Sequence, residues 1–128
     1  MEKQIRVPGP DHPITIAPTG ERVVVRAGGA VIADTNDALT LEEAGYAPVQ
    51  YIPLADVDGA ALRRSEHVTY CPYKGDAAYY TVVTPHDELE NVAWTYEDPF
   101  DAVREIAGRV AFYASRVEVS VGEAALRG

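Results

Sequence analysis

The densest collection of reactive side chains in this sequence lies at 67–80, HVTYCPYKGDAAYY, where His67, Cys71, Lys74 and four tyrosines fall within fourteen positions. An extended run over 67–71 puts His67, Thr69 and Cys71 on one face and Val68 and Tyr70 on the other. At the rise of a strand His67 and Cys71 stand roughly 13 Å apart, too far for a base to take a proton from a nucleophile. What remains for Cys71 is a thiolate favoured by a nearby cation, with Lys74 across the turn as its activator. The competing role is that of a small core residue, which most lone cysteines play. Lys74-Gly75 invites comparison with a phosphate-binding loop, but that loop needs glycines ahead of the lysine and Ser or Thr behind it. Here Cys71-Pro72-Tyr73 precedes and Asp76 follows, so the comparison fails. Lys74 is left as a single cation for an anionic or carbonyl group, or as a solvated lysine in a turn.

Asp56 and Asp58 have the D-x-D spacing with which a strand aims two carboxylates at one Mg²⁺. A nucleotidyl-transfer site would also need a Gly-Ser turn ahead of the pair, and the chain contains no Gly-Ser dipeptide. Helix capping and turn formation account for both aspartates. His12, His67 and His86 show no paired ligand spacing, and two of them adjoin prolines, so neither a metal nor another cofactor is expected. The aromatics carry more weight: Tyr70, Tyr73, Tyr79, Tyr80, Trp94, Tyr96 and Tyr113 all lie in the second half. Their polar tips suit a ring-walled pocket better than a dry core. The residues expected to line it are Tyr73, Lys74, Tyr79, Asn91, Trp94 and Tyr96.

Twenty acidic against eleven basic residues give a formal charge of −9 over 128 residues, and the only lysines are Lys3 and Lys74. No cationic stripe is available to neutralise phosphates, which argues against nucleic acid as a partner. Arg63 and Arg64 are adjacent but are offset by Asp56, Asp58 and Glu66, which argues against an anionic membrane surface. No segment has the roughly 18 apolar residues of a membrane span or the pattern of a signal peptide. With Cys71 the sole cysteine, no internal disulfide can form, and a reducing cytoplasmic location is the expectation.

The elements that must position these residues are short. Residues 1–13, with Pro8, Pro10 and Pro13, read as an extended arm, and order is expected from Ile14. Runs at 14–17, 22–27 and 30–35 read as strands, the last two joined by Gly28-Gly29 in a hairpin. Residues 38–44, ALTLEEA, read as a short helix stopped by Gly45 and Pro48. A strand at 49–53 is followed by one or two helical turns over 58–65, capped by Asp58. Strands at 67–73, 77–83 and 91–96 come next, the latter two antiparallel neighbours. A helix near 99–107 begins at Pro99 and ends at Gly108. Runs at 110–113 and 116–121 read as a closing hairpin, and 122–128 as a frayed tail. The sum is a single mainly β domain over 14–121, two antiparallel sheets arranged as a sandwich or β-tent, with one short helix.

Four blocks carry a family resemblance: 12–39, 49–58, CPYKGDAAYYTV at 71–82 and ENVAWTYEDPFDAVREIAGRVAFYASRVEV at 90–119. Together they resemble the family called domain of unknown function 427. The resemblance implies no established activity. Some members carry a nucleotidyltransferase label, which the missing Gly-Ser turn and the mainly β pattern both oppose here. It also implies a fold similar to the β-tent, in a metal-free form, since one cysteine cannot build a Cys₄ site. The functional expectation is a small-molecule binding domain with an aromatic-lined pocket. The alternatives are an enzyme using Cys71 activated by Lys74, and an interaction module that pairs with a partner or a second copy of itself.

Overall fold

Gly28 and Gly29 have φ of +56° and +82°, the left-handed pair that a tight hairpin turn demands. They join β2 (Val23–Ala27) to β3 (Ala30–Thr35), as the sequence predicts. The computed structural model describes residues 4–126; the ends of the expected arm (1–3) and tail (127–128) lie outside the described residues.

The other strands are β1 (Ile14–Pro18), β4 (Leu39–Glu43), β5 (Val49–Pro53), β6 (Leu62–Cys71), β7 (Gly75–Val83), β8 (Glu88–Thr95), β9 (Arg109–Phe112) and β10 (Glu118–Val121). They form two antiparallel sheets: a seven-stranded one in the order β1-β4-β5-β9-β8-β7-β6 and a three-stranded one in the order β10-β2-β3. The expected helix near 99–107 is a 3₁₀ segment, Asp101–Ile106, kinked by non-helical backbone at Val103 (φ −126°, ψ 27°), which with Ile106 is fully buried.

Residues 38–44 are not helical. Seven residues between a turn and Gly45 are too few to nucleate a stable helix in isolation. Leu39, Leu41 and Glu43 alternate with Thr40 and Glu42, and as β4 they pair with β1 on one side and β5 on the other. The helical reading of 58–65 holds only for Gly59–Ala61, where the Asp58 side chain accepts from the Ala60 amide; Leu62 onward belongs to β6. The closing hairpin does not form either. β9 inserts between β5 and β8, while β10 crosses to the small sheet and pairs with β2. Every residue of β9 after Arg109 is buried, which suits a central strand better than an edge. The tail, read as frayed, makes a helical turn at Glu123–Leu126, with Ala125 buried and its carbonyl accepting from Arg26.

Each face of the large sheet has its own core. On one side Ile52, Val82, Ala93, Val110 and Phe112 pack against Val23, Val25 and Ile32 of the small sheet. On the other Leu41, Tyr51, Ala77, Tyr79, Tyr96 and Ala111 cluster with Val103 and Ile106. This second face curls in on itself. Adjacent strands lie about 4.8 Å apart, so β4 and β7 would be about 19 Å apart in a flat sheet. Yet Lys74, in the β6–β7 turn, reaches Glu43 at the end of β4 with Nζ to Oε1 at 2.6 Å.

Asn91, expected in the pocket, serves the backbone instead. Tyr80 pairs with Ala93 and Val82 with Leu89, so Thr81 faces residues 90–92, and Asn91 takes up the surplus at φ +54°. Asparagine tolerates this region far better than a β-branched residue. Asn91→Val is therefore expected to lower stability in urea by about 1–2 kcal/mol, while Asn91→Gly stays within about 0.5 kcal/mol of the parent.

Candidate functional site

The inward curl leaves a cavity of about 290 Å³ on the concave face. Alternation along β6 aims Cys71 at it, and the Thr69 hydroxyl on the same face bonds Tyr79 Oη at 3.0 Å. His67, on that face too, sets its ring edge-on to Tyr79 with centroids 4.6 Å apart. Tyr79 and Trp94 are register partners on β7 and β8 and share this side of the sheet. Leu41 and Glu43 enter from β4, Val49 and Tyr51 from β5, and Tyr46 and Ala47 from the turn between them.

At one end the Glu43 carboxylate is gripped from two sides. Lys74 Nζ donates to Oε1 at 2.6 Å and His12 Nε2 to Oε2 at 2.6 Å. An ionised carboxylate only accepts, so His12 carries its proton on Nε2. Burial pushes the Glu43 carboxyl up, but the bonds from Lys74 and His12 outweigh it and hold it below the ordinary glutamate range. Both ends of the ion pair are nearly enclosed, with 12% of the Lys74 and 11% of the Glu43 side chain exposed. The Lys74 ammonium also lies 5.9 Å from the centroid of the Tyr96 ring, within cation–π range.

The phenols are donors, not anions. Burial raises Tyr51 well above the usual tyrosine value; the Trp94 indole, donating to Tyr51 Oη at 3.2 Å, opposes this, and Glu43 and Cys71 add to it. Burial likewise raises Tyr96, reinforced by Tyr51, Cys71, Tyr79 and Glu43. Tyr113 is pushed up to about 12 by burial and by hydrogen bonding with Tyr79. Tyr96 is 6% exposed, and its hydroxyl has no hydrogen-bond partner among the described residues.

A family model described as "Domain of unknown function (DUF427)" matches residues 15–123. The chain belongs to the DUF427 family. No curated protein matches it. Within this DUF427 chain the match covers Glu43, Lys74 and every aromatic residue of the cavity, while His12 lies just ahead of it.

Of the residues expected in the pocket, Lys74, Tyr79, Trp94 and Tyr96 line the cavity, and Cys71 joins them. Tyr73 does not. It leaves the turn on the outer side and stacks on His12, with centroids 4.0 Å apart, fixing the imidazole against Glu43. Nor does Asn91, for the reason given above. The ammonium expected to activate Cys71 is held by Glu43, so the thiol has no uncompensated cation beside it. Asp56 accepts from the Thr35 hydroxyl at 2.7 Å and Asp58 caps a turn, the structural roles expected of them from turn formation and capping. Among the described residues no three His, Cys, Asp or Glu side chains converge as a metal site, and no helix is long and apolar enough to cross a membrane. Arg63 and Arg64 pair with Glu88 and Glu97, not with the acidic residues nearest in sequence.

Sequence reasoning missed Glu43, Tyr51 and the role of His12. Glu43 was hidden by the helical reading of its segment; the alternation of Leu39, Leu41 and Glu43 was the signal that could have exposed it.

The folded carboxyl titrates below its unfolded value of about 4.5, so its contribution to stability is present above that pH and lost as pH falls through the folded value. Glu43→Gln should therefore lower stability at pH 7 by about 2 kcal/mol, between the surface and fully buried extremes for an ion pair. The gap between variant and parent should close below pH 4.5 in denaturant titrations at stepped pH.

Proposed function

We propose that this DUF427 protein binds a small organic molecule on the concave face of its large sheet. Tyr79 and Trp94 supply apolar walls, and Lys74, Tyr51 and Tyr96 present donors to a hydrogen-bond acceptor on the ligand. The observation that carries this reading is the Tyr96 hydroxyl. It lines the cavity with no hydrogen-bond partner among the described residues and is not sealed from solvent, so its proton is open to an acceptor on a ligand. Tyr51 supports it. Its oxygen accepts from Trp94, and its own proton has no acceptor among the described residues.

The nucleotidyltransferase label attached to some family members finds no support, since Asp56 and Asp58 are engaged by Thr35 and by the Ala60 amide. An arm that reaches for a partner is disfavoured as well. Its Arg6 amide donates to the Pro72 carbonyl at 2.8 Å, and the Tyr70 hydroxyl donates to the Gln4 carbonyl.

Trp94 is the sole tryptophan and lines the cavity, so intrinsic fluorescence reports on occupancy directly. A metabolite panel read by Trp94 fluorescence and thermal shift is expected to yield a compound that raises Tm. Tyr96→Phe, which keeps the ring beneath Lys74, should weaken that compound by about 1 kcal/mol, roughly fivefold in Kd. A folded Tyr96→Phe protein that binds it with unchanged Kd would overturn the assignment.

A further inference from the structure

The large sheet is split beside the cavity. β5 and β9 pair only through Ile52↔Val110 and Pro53↔Arg109. Ahead of that ladder Val49 and Tyr51 turn to β4, while Ala111 and Phe112 turn to β8, so the two strands part. A second cavity of about 280 Å³ lies at this parting and runs toward the small sheet. Tyr46, Ala47, Val49, Trp94 and Tyr113 line both cavities, so the two adjoin through the split.

Their linings differ in kind. The second cavity is walled by Val25, Ile52, Phe112 and Val119. Its one amide side chain, Gln50, is already engaged: Oε1 accepts from Thr19 at 2.6 Å and Nε2 donates to Thr40 at 3.0 Å. The first cavity holds most of the polar groups, and apart from the Glu43 carboxylate, whose oxygens already accept from Lys74 and His12, it offers donors: the Tyr51 and Tyr96 phenols and the remaining protons of Lys74. Its formal charges cancel, because Lys74 is paired with Glu43 and Glu43 is also held by His12. An anionic ligand would have to displace Glu43 from both partners or sit beside it, and two carboxylates sharing one site repel. The negative field of Glu43 is already felt by both phenols, whose ionisation it disfavours.

We infer that the ligand is an elongated, uncharged molecule whose carbonyl end sits among Tyr51, Tyr96 and Lys74 and whose apolar body passes through the split into the second cavity. A carbonyl oxygen accepts from the phenols without adding charge, and the apolar walls take the rest of the molecule by the hydrophobic effect. This rests on the binding reading above and assigns that site a chemical class.

The test uses the full chain and three probes read by Trp94 fluorescence: 2-undecanone, undecanoate and 2-heptanone. 2-Undecanone should bind at least tenfold more tightly than either of the others. Ala47→Phe places bulk at the split from an exposed turn position, so folding is not threatened. It should weaken 2-undecanone at least fivefold more than it weakens 2-heptanone, and equal weakening of the two would overturn passage through the split. Undecanoate binding as tightly as the long ketone would overturn the uncharged end. Equal affinity for the two ketones, or indifference to Ala47→Phe, would overturn passage through the split. If no probe binds while a panel compound binds and is weakened by Tyr96→Phe, the chemical class is wrong and the binding site stands. If nothing binds, the binding reading itself fails.

Discussion

The Glu43 carboxylate holds the concave face together. Hydrogen-bonded ladders run from β1 to β6 without closing, so the strand pairing does not bring the two ends of the large sheet toward each other, and beyond the Arg6–Pro72 backbone bond the task falls to side chains. Lys74 takes it up from the β6–β7 turn, and His12 from the segment before β1. Each contact is charge-assisted, short and largely shielded from water, conditions under which an ion pair resists disruption better than on an open surface. Tyr73 stacked on His12 and Tyr96 beneath Lys74 then pack against the two donors. An apolar pair could bridge the same gap, but it would not leave a polar end to the cavity.

The irregularities of the large sheet gather around that same space. β5 and β9 part after a short ladder, β8 carries the Asn91 bulge opposite Thr81, and β6 shifts register against β7 between Arg64 and Val68. Bulges bend and twist the strands that contain them. A sheet with uninterrupted ladders would lie flatter and would seal the gap beside Val49 and Trp94. The departures from regular pairing therefore work with the ion pair: bulge and shift favour curvature, and the pair holds the curved ends.

The two faces of the sheet have diverged in consequence. Toward the small sheet, the packed side chains are almost entirely aliphatic or Phe112, with Tyr80 packed against them. On the concave side three tyrosines, Trp94 and Cys71 share the core with an ion pair. Burial keeps the Tyr51 and Tyr96 phenols protonated, so they give the wall donors and add no negative charge in a chain already carrying −9. Cys71 contributes to that wall beside a lysine whose ammonium is paired with Glu43.

Local sequence determined a good deal. The Gly28-Gly29 hairpin, the β-branched strands, the cap at Asp58, the mainly β architecture in two antiparallel sheets and the family resemblance were all readable in short windows, because turn chemistry and alternation act over a few residues. So was a cavity wall made of Tyr79, Trp94, Tyr96 and Lys74. Tertiary structure decided what short windows do not contain. Residues 38–44 have helical composition but became β4 because both neighbouring strands offered backbone pairing that a two-turn helix could not match. The runs at 110–113 and 116–121 look like a hairpin, yet they parted because β5 and β2 were the better-packed partners. Glu43, His12 and Lys74 are separated by about thirty residues at each step in sequence, and only the curl of the sheet makes them neighbours. That curl is a sum of small twists and irregular pairings over seven strands, and no single segment encodes it.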